Sequence, residues 1–276
     1  MNYETLEIRI AQRVAVVWLA REKVRNAFNE KSIAELSHAF AALGADDTVR
    51  ALVLAGRGPA FCAGADLEWM RRLATYTHEE NRADAGRLAT MLATIAACPK
   101  PVIARVHGDV YAGGVGLVAA CDIAIASRDA NYCLSEVRLG LIPATIAPYV
   151  IRAIGARQAQ RYFLTAERFD GAEARRIGLV HELVAADQLD SRVDEVLAAL
   201  LQNSGEAVQA AKRLVADIRD RPIDAPLIAG TVERIALTRA SADGREGIAS
   251  FLEKRKPRWQ HEFDELRAAA DDDEEM

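Results

Sequence analysis

The predicted fold is decided by residues Gly108–Pro148, which read GDVYAGGVGLVAACDIAIASRDANYCLSEVRLGLIPATIAP. A strand is expected just before them, over Pro101–His107, and glycines then mark a loop. The apolar run Leu117–Ala120 predicts a short helix, and Cys121–Ser127 predicts another strand. A strand, a glycine-rich loop, a helix and a strand in this order are typical of an α/β core with crossover connections.

The loop glycines point to an anion or oxyanion site. Gly113, Gly114 and Gly116 stand near a helix start, where backbone N–H groups can approach a ligand oxygen and the helix dipole favours negative charge. Glu136, in the apolar segment that follows, is the candidate acid or base. Two simpler interpretations stay open, because glycine is also the default turn residue and a lone glutamate is more often ion-paired on a surface.

The same glycines also match a dinucleotide-binding pattern. Gly114–Ala119 satisfies G-x-G-x-x-A, and Glu136 lies about 20 residues further on, where an acid that binds ribose is expected. In such a unit the glycines follow the strand directly, and a full crossover helix precedes the next strand. Gly114 lies several residues past the strand and Cys121–Ser127 follows too soon, so the spacing disfavours a nicotinamide or flavin site.

A second loop of the same kind comes earlier in the chain. The apolar run Ala51–Ala55 predicts a strand buried on both faces, and the small residues of Gly56–Asp66 follow it and run into a helix that starts near Leu67. Backbone amides are again open to a ligand there. The other expected elements are a hairpin of Leu6–Ile10 with Val14–Leu19, a helix capped by Asn29, and helices at about 79–98, 188–203, 205–219, 227–240 and 245–263.

Composition narrows the functional classes. The 276 residues are 51% hydrophobic and 27% charged, with a net charge of −5, so there is no basic footprint for nucleic acid. Cysteines are dispersed, which indicates free thiols in a reducing compartment, and no histidine or cysteine spacing predicts a metal site. No segment has the length and apolarity of a membrane span, so the expected location is the cytoplasm.

Six motifs in order make the chain resemble the enoyl-CoA hydratase/isomerase (crotonase) superfamily, from Glu7 to about Gln260. Each motif alone is modest, but their order along the chain is specific. They are Ala20–Asn29, Phe61–Leu67, Pro101–Ser127, Leu134–Pro143, Leu164–Val180 and Glu246–Trp259.

The resemblance implies an α/β fold, a spiral of ββα units followed by a helical trimerisation region. The expected domains are a spiral core over residues 1–190, a helical oligomerisation region over 191–265 and an acidic disordered tail over 266–276. The expected assembly is a homotrimer or a hexamer made of two trimers. The implied substrate is an acyl-CoA thioester, with no cofactor beyond the coenzyme A of the substrate itself.

The resemblance also implies roles for particular residues. The backbone N–H groups of Ala65 and Gly113 would form the oxyanion hole for the thioester oxygen, with Glu136 as the catalytic carboxylate. Residues of two loops would form the coenzyme A cradle, whose basic side chains suit phosphates. The implied substrate-binding residues are Lys23, Val24, Arg25, Ala63, Asp66, Leu67, Gly114 and Gly116.

The sequence departs from the family pattern at one catalytic position. Well-known hydratases of the family carry two glutamates; Glu136 matches the second, but Gly116 stands where the first would be. One interpretation is a hydratase similar to methylglutaconyl-CoA and isohexenylglutaconyl-CoA hydratases, with space at Gly116 for a branched or carboxylated acyl chain. A double-bond isomerase, which needs one base and no water, and a non-catalytic CoA-thioester binding protein are the alternatives.

Overall fold

A computed structural model describes residues 2–274 of the chain. The chain divides into two compact units. The first comprises the chain up to Cys98 together with Val102–Asp194, and the second comprises Pro99–Pro101 and the chain from Glu195 onward. Across the described residues, none of the helices combines the length and apolarity needed to cross a bilayer.

Ten strands lie in the first unit. They are β1 Leu6–Ala11, β2 Val14–Leu19, β3 Ala51–Gly56, β4 Ala60–Cys62, β5 Val102–Val106, β6 Asp109–Tyr111, β7 Ile123–Ser127, β8 Asn131–Cys133, β9 Phe169–Asp170 and β10 Glu182–Val184.

Eleven α-helices complete the described part of the chain. They are α1 Glu30–Ala45, α2 Leu67–Leu73, α3 His78–Ala96, α4 Gly113–Ala120, α5 Ala147–Thr165, α6 Gly171–Arg176, α7 Leu189–Leu201, α8 Gly205–Ile218, α9 Ala225–Ala240, α10 Ala242–Leu252 and α11 Arg258–Glu274. Short 3-10 turns lie at Glu22–Val24, Glu136–Leu139 and Ala186–Gln188.

The strands form two sheets that the chain visits alternately. The larger sheet has the order β1-β2-β3-β5-β7-β10, and the smaller has the order β4-β6-β8-β9. Strands β3, β5 and β7 are parallel neighbours in the larger sheet, and β4, β6 and β8 are parallel neighbours in the smaller one. Each of these three strands of the larger sheet is thus followed by one of the smaller, and helical segments connect the pairs. The predicted α/β spiral of ββα units is confirmed.

Local chemistry explains the main elements. Asn29 begins α1 by accepting a hydrogen bond from the Ser32 N–H, as predicted. Strand β3 is buried along its whole length because parallel strands are covered on both faces. The first two strands form the predicted antiparallel hairpin. Strands β4, β6 and β8 were not predicted, because three residues are too few to show a periodic pattern.

The second unit is helical, and one prediction there is wrong. The single helix expected over residues 245–263 is two helices, α10 and α11. Helix α10 ends at Leu252 because Lys254, two residues later, has φ 56° in the left-handed region, a common way for a helix to end. Pro257 directly precedes the start of α11. Helix α11 continues through most of residues 266–276, the expected acidic tail, and residues 275–276 lie outside the described residues. The domain boundaries and the tail stay predictions.

Helix α9 of the second unit carries an exposed apolar stripe. Ile228, Val232 and Ile235 are 52%, 60% and 48% exposed. Their spacing of four and three residues places them on one face of the helix. Exposed apolar rows of this kind mark association surfaces, which is consistent with the expected trimer or hexamer.

We therefore predict that Val232→Asp shifts the protein from a trimer or hexamer toward the monomer, because a charge in a buried apolar interface is costly. Sedimentation velocity of the wild type and the variant measures the change. Glu233→Gln, on the next residue of the same helix, is the control and should sediment like the wild type. A monomeric wild type would refute the expected assembly.

Candidate active site

The candidate site lies beyond the carboxyl ends of three neighbouring strands in the smaller sheet. Ala65 follows β4, Gly113 follows β6 and Glu136 follows β8, each two or three positions beyond the last residue of its strand. Strands β4, β6 and β8 are parallel, so these ends meet at one edge of the sheet. Ligands of α/β sheets bind at such an edge. The sheet therefore gathers the three residues predicted to be catalytic, although they are far apart in sequence.

The backbone around Ala65 is held by pairing with the segment at Phe28. The Phe28 N–H donates to the Gly64 carbonyl at 2.8 Å, and the Asp66 N–H donates to the Phe28 carbonyl at 3.0 Å. Successive N–H groups of an extended segment point to opposite sides. The Ala65 N–H therefore points away from Phe28, and no acceptor for it is present within residues 2–274.

Gly113 begins α4 and presents a second N–H group. The first N–H groups of a helix have no partner within the helix, and the helix dipole makes that end attractive to negative charge. Ala112, just before it, has φ 48° and ψ −118°, a conformation that costs a non-glycine residue about 1–3 kcal/mol. The Ala112 N–H is fixed by the Cys133 carbonyl at 2.8 Å. A strained residue therefore orients the Gly113 N–H.

Phe28 brings the two N–H groups together. It pairs with Ala65 through its backbone, and its ring lies so close to Gly113 that an added β-carbon there would overlap the Phe28 ring. The neighbouring Gly114 is equally restricted, since a β-carbon would lie 2.6 Å from the Cys62 carbonyl oxygen. Only glycine therefore fits these two positions without rearrangement.

Glu136 opens the 3-10 turn Glu136–Leu139 and carries an unusual carboxyl group. Its Oε2 atom is buried, and no hydrogen-bond partner for it exists within residues 2–274. Burial raises the pKa of Glu136 above its ordinary value, since removal from water disfavours the charged form. A buried carboxyl oxygen without a partner, at the sheet edge that also carries the Ala65 and Gly113 N–H groups, is the arrangement expected of an acid–base catalyst.

The environment of Gly116 corrects one expectation. The sequence suggested that Gly116 frees space for a branched or carboxylated acyl chain. The space is instead filled by Ile146, whose side chain would overlap a β-carbon at Gly116. Ile146 is buried, and it directly precedes helix α5. An aliphatic side chain thus occupies the place into which a side chain at position 116 would project.

The basic loop at Lys23, Val24 and Arg25 is exposed and lies next to the backbone around Ala65. The Ala63 N–H donates to the Arg25 carbonyl at 3.0 Å. The Arg25 guanidinium makes only a long contact of 3.4 Å with Asp109 and is 64% exposed. These cations are therefore accessible to a phosphate, which is the role expected of them.

Of the expected coenzyme A-binding residues, Asp66 has its side chain bonded within the protein, whereas Leu67 has its side chain exposed. The Asp66 carboxylate is committed within the protein: it accepts from the Glu68 and Trp69 N–H groups at the start of α2 and from Arg21. Asp66 can therefore contact coenzyme A only through its backbone. Leu67 is 71% exposed and offers an apolar surface.

Several residues of the site were not singled out by the sequence analysis, although Arg21 and Phe28 lie within the motif Ala20–Asn29. Phe28 and Ile146 matter through shape, and Arg21 matters through its hydrogen bonds; none lies in a glycine loop. Arg138, two residues after Glu136, donates to the Ala166 carbonyl at the end of α5 at 2.6 Å, so it stabilises the fold. Apolar periodicity cannot report such contacts, which depend on segments far apart in sequence.

Comparison with known proteins shows which family the chain resembles over its length. The family model "Enoyl-CoA hydratase/isomerase" matches residues 9–262. A probable enoyl-CoA hydratase of Rhizobium meliloti is 35% identical, covering 95% of this chain and 100% of that protein. A crotonyl-CoA hydratase of Syntrophomonas wolfei is 31% identical, covering 93% and 98%. The crystal structure of an enoyl-CoA hydratase from Shewanella pealeana is 41% identical, with a TM-score of 0.91, and covers 94% of this chain and 97% of its own.

The raised pKa of Glu136 predicts a pH-dependent stability. The folded protein holds the Glu136 proton more tightly than the unfolded chain, so its contribution to the free energy of unfolding falls as pH rises from the ordinary value of 4.5 through the raised pKa. Glu136→Gln removes this pH-dependent loss of stability, because glutamine has no proton to lose. The variant should therefore unfold at higher urea than the wild type at neutral pH, and the difference should shrink toward pH 4.5.

Urea unfolding at a series of pH values measures this effect. Glu206→Gln, at an exposed position on α8, is the control and should follow the wild type at every pH. If the Glu136→Gln variant loses stability with rising pH as steeply as the wild type, the buried carboxyl is not the cause.

The contact between Gly116 and Ile146 predicts a coupled pair of substitutions. Gly116→Glu alone should lower the free energy of unfolding by about 1–3 kcal/mol, because the new side chain overpacks against Ile146. Ile146→Ala in the same protein should recover part of that loss, whereas two independent sites would add their losses. Urea unfolding of both single variants and the double variant measures the coupling, and simple additivity would contradict the contact.

Proposed function

The chain belongs to the enoyl-CoA hydratase/isomerase family, and we propose that it adds water across the 2,3 double bond of an enoyl-CoA thioester. The observation that carries the proposal is the buried, unpartnered Oε2 of Glu136 at the sheet edge that also carries the N–H groups of Ala65 and Gly113, for which residues 2–274 supply no backbone acceptor. The hydratase names of the relatives support it.

The two N–H groups would act on the thioester carbonyl oxygen. As water adds at C3, the electron pair of the double bond moves toward that oxygen and an enolate develops. Donors fixed in advance stabilise the negative charge without rearranging during the reaction, and losing one donor typically costs about 10² to 10³ in rate. Backbone amides meet this need with small side chains, which explains the glycine and alanine at the site.

Glu136 would transfer the proton from water to C2. The ionised carboxylate takes a proton from water as the oxygen bonds to C3, and the carboxyl then gives that proton to C2 as the thioester carbonyl re-forms. Protons and electrons balance with one carboxyl group. Its raised pKa suits the task, because a catalytic group works best when its pKa lies near the operating pH.

Coenzyme A would bind along the loop Lys23–Arg25. The two basic side chains are exposed and can pair with phosphates, while the segment Ala63–Leu67 offers backbone groups to the pantetheine chain. The protein needs no further cofactor for this reaction. We also propose that the acyl group is branched or carboxylated, as in methylglutaconyl-CoA; this proposal rests on the sequence similarity around Leu134–Pro143.

One observation favours an isomerase as the second candidate. Ile146 fills the space beside Gly116, so the site lacks a second carboxylate at that position to hold water. An isomerase moves a proton between C2 and C4 with one base and no water. The same enolate and the same two N–H donors serve both reactions, and only the product separates them.

Mass spectrometry of products separates the candidates. The panel contains crotonyl-CoA, 3-methylcrotonyl-CoA, 3-methylglutaconyl-CoA and a 3-enoyl-CoA. A product heavier by one water supports the hydratase, and an unchanged mass with a shifted double bond supports the isomerase. No turnover on any substrate would leave a binding role and refute both. Faster reaction of the branched or carboxylated thioester than of crotonyl-CoA would support the proposed branched or carboxylated acyl group.

Glu136→Gln should lower turnover by at least about 10², the low end for general acid–base catalysis. The amide cannot take the proton from water, although it keeps nearly the same shape. Glu206→Gln again serves as the control and should turn over like the wild type. A Glu136→Gln enzyme within a few-fold of the wild type would refute the role of Glu136.

A further inference from the structure

The orientation of the Ala65 N–H depends on the segment Arg25–Phe28. Three backbone hydrogen bonds join this segment to residues 63–66: Ala63 N–H to the Arg25 carbonyl, Phe28 N–H to the Gly64 carbonyl and Asp66 N–H to the Phe28 carbonyl, at 3.0, 2.8 and 3.0 Å. The pairing decides which way the Ala65 N–H points. A shift of the segment would therefore turn the donor.

That segment is strained. Arg25 and Asn26 have φ of 51° and 57°, in the left-handed region that non-glycine residues seldom adopt. Such a conformation persists only when its surroundings hold it in place. Asn26 is held through its side chain, which donates to the Arg57 and Ala60 carbonyls at 2.8 Å and accepts from the Arg21 N–H at 2.9 Å.

Arg21 holds both sides of the pairing with one guanidinium group. Its Nη1 donates to the Ala27 carbonyl, within the strained segment. Its Nη2 donates to Asp66 Oδ2 at 2.8 Å, directly after Ala65. The Asp66 side chain is only 8% exposed and also caps helix α2 through Oδ1. A rigid fork thus spans the two backbone segments that orient the Ala65 N–H.

We propose that Arg21 is a positioning residue of the reaction, which keeps the Ala65 N–H aimed at the thioester oxygen. The proposal rests on the proposed function, since it assumes a thioester in the site. Arg21 does not touch the reacting atoms; it acts through Asp66 and the segment Arg25–Phe28. A lysine could not replace it, because a single ammonium lacks the planar fork that reaches both acceptors.

The steady-state test compares Arg21→Gln with the wild type on the enoyl-CoA that the wild type turns over fastest. We expect kcat to fall by about 10- to 100-fold, the effect of misplacing a catalytic group by a fraction of an ångström to about 1 Å. KM should change less than about threefold, because the transition state, not the bound substrate, loses most from a misaimed donor.

Asp66→Asn breaks the same ion pair by changing its other member. Asparagine is a good helix cap, so α2 keeps its start while the charge that Arg21 contacts is lost. The Asp66→Asn enzyme should also lose kcat, and the double variant should lose little more than either single variant, because both break one interaction. Additive losses would mean that the two residues act separately, which would contradict the proposal.

The control removes a similar ion pair elsewhere in the first unit. Arg87 contacts Asp84 at 2.7 Å on helix α3, and the Asp84 side chain is 6% exposed, comparable to Asp66. Arg87→Gln breaks this ion pair without touching the segments around Ala65, so it should leave kcat unchanged. If Arg87→Gln lowers kcat as much as Arg21→Gln, the loss reflects stability alone and the proposal is wrong.

A spectroscopic measurement separates failure of this proposal from failure of the proposed function. Butyryl-CoA labelled with ¹³C at the carbonyl cannot react by hydration, and its carbonyl stretch in difference infrared spectra falls when hydrogen bonds polarise the group. The wild type should shift the band, and Arg21→Gln should bind with a clearly smaller shift. A wild type without any shift refutes the thioester site itself. Equal shifts in wild type and variant, or an unchanged kcat, refute the role of Arg21.

Discussion

The parallel pairing of β4, β6 and β8 is the constraint on which the site depends. Each strand has only three residues, and β4 and β6 pair with a register shift between Ala60 and Cys62, yet the parallel pairing places Ala65, Gly113 and Glu136 at one edge. A one-residue slip between neighbouring strands would turn each side chain to the other face of the sheet. The larger sheet limits such a slip, because β3, β5 and β7, which precede the three short strands, are buried and paired in a single register.

Unfavourable conformations and buried polar groups concentrate near this edge. Ala112, Arg25 and Asn26 have positive φ, and the Oε2 atom of Glu136 is buried without a partner among the described residues. Each of these features costs stability, by about 1–3 kcal/mol for a strained backbone. The hydrophobic core of the first unit offsets the cost, with fully buried side chains such as Phe40 and Phe61. The surrounding structure thus holds the candidate catalytic groups in place despite this strain.

The sequence predicted the large elements and the type of site, and its failures have physical causes. Helix α1 and strand β3 were predicted because a cap and a long apolar run are local signals. Ala65 and Gly113 were named as the oxyanion hole through family resemblance, whereas the glycine loops had already suggested amide donors and Glu136 was already the candidate acid or base. Strand β8 was missed because three residues show no period. Ile146 was missed because its contact with Gly116 joins segments about 30 positions apart.

The contact between Gly116 and Ile146 also restricts how the site can change over generations. A lineage that replaces the glycine with a glutamate first must pass through an overpacked protein, at a cost of about 1–3 kcal/mol. A lineage that shortens the isoleucine first must pass through a protein with a cavity, at about 2–5 kcal/mol. Both orders cross a less stable intermediate, and natural proteins have little stability to lose. Packing alone therefore opposes the gain of a carboxylate at position 116, whatever advantage it would bring.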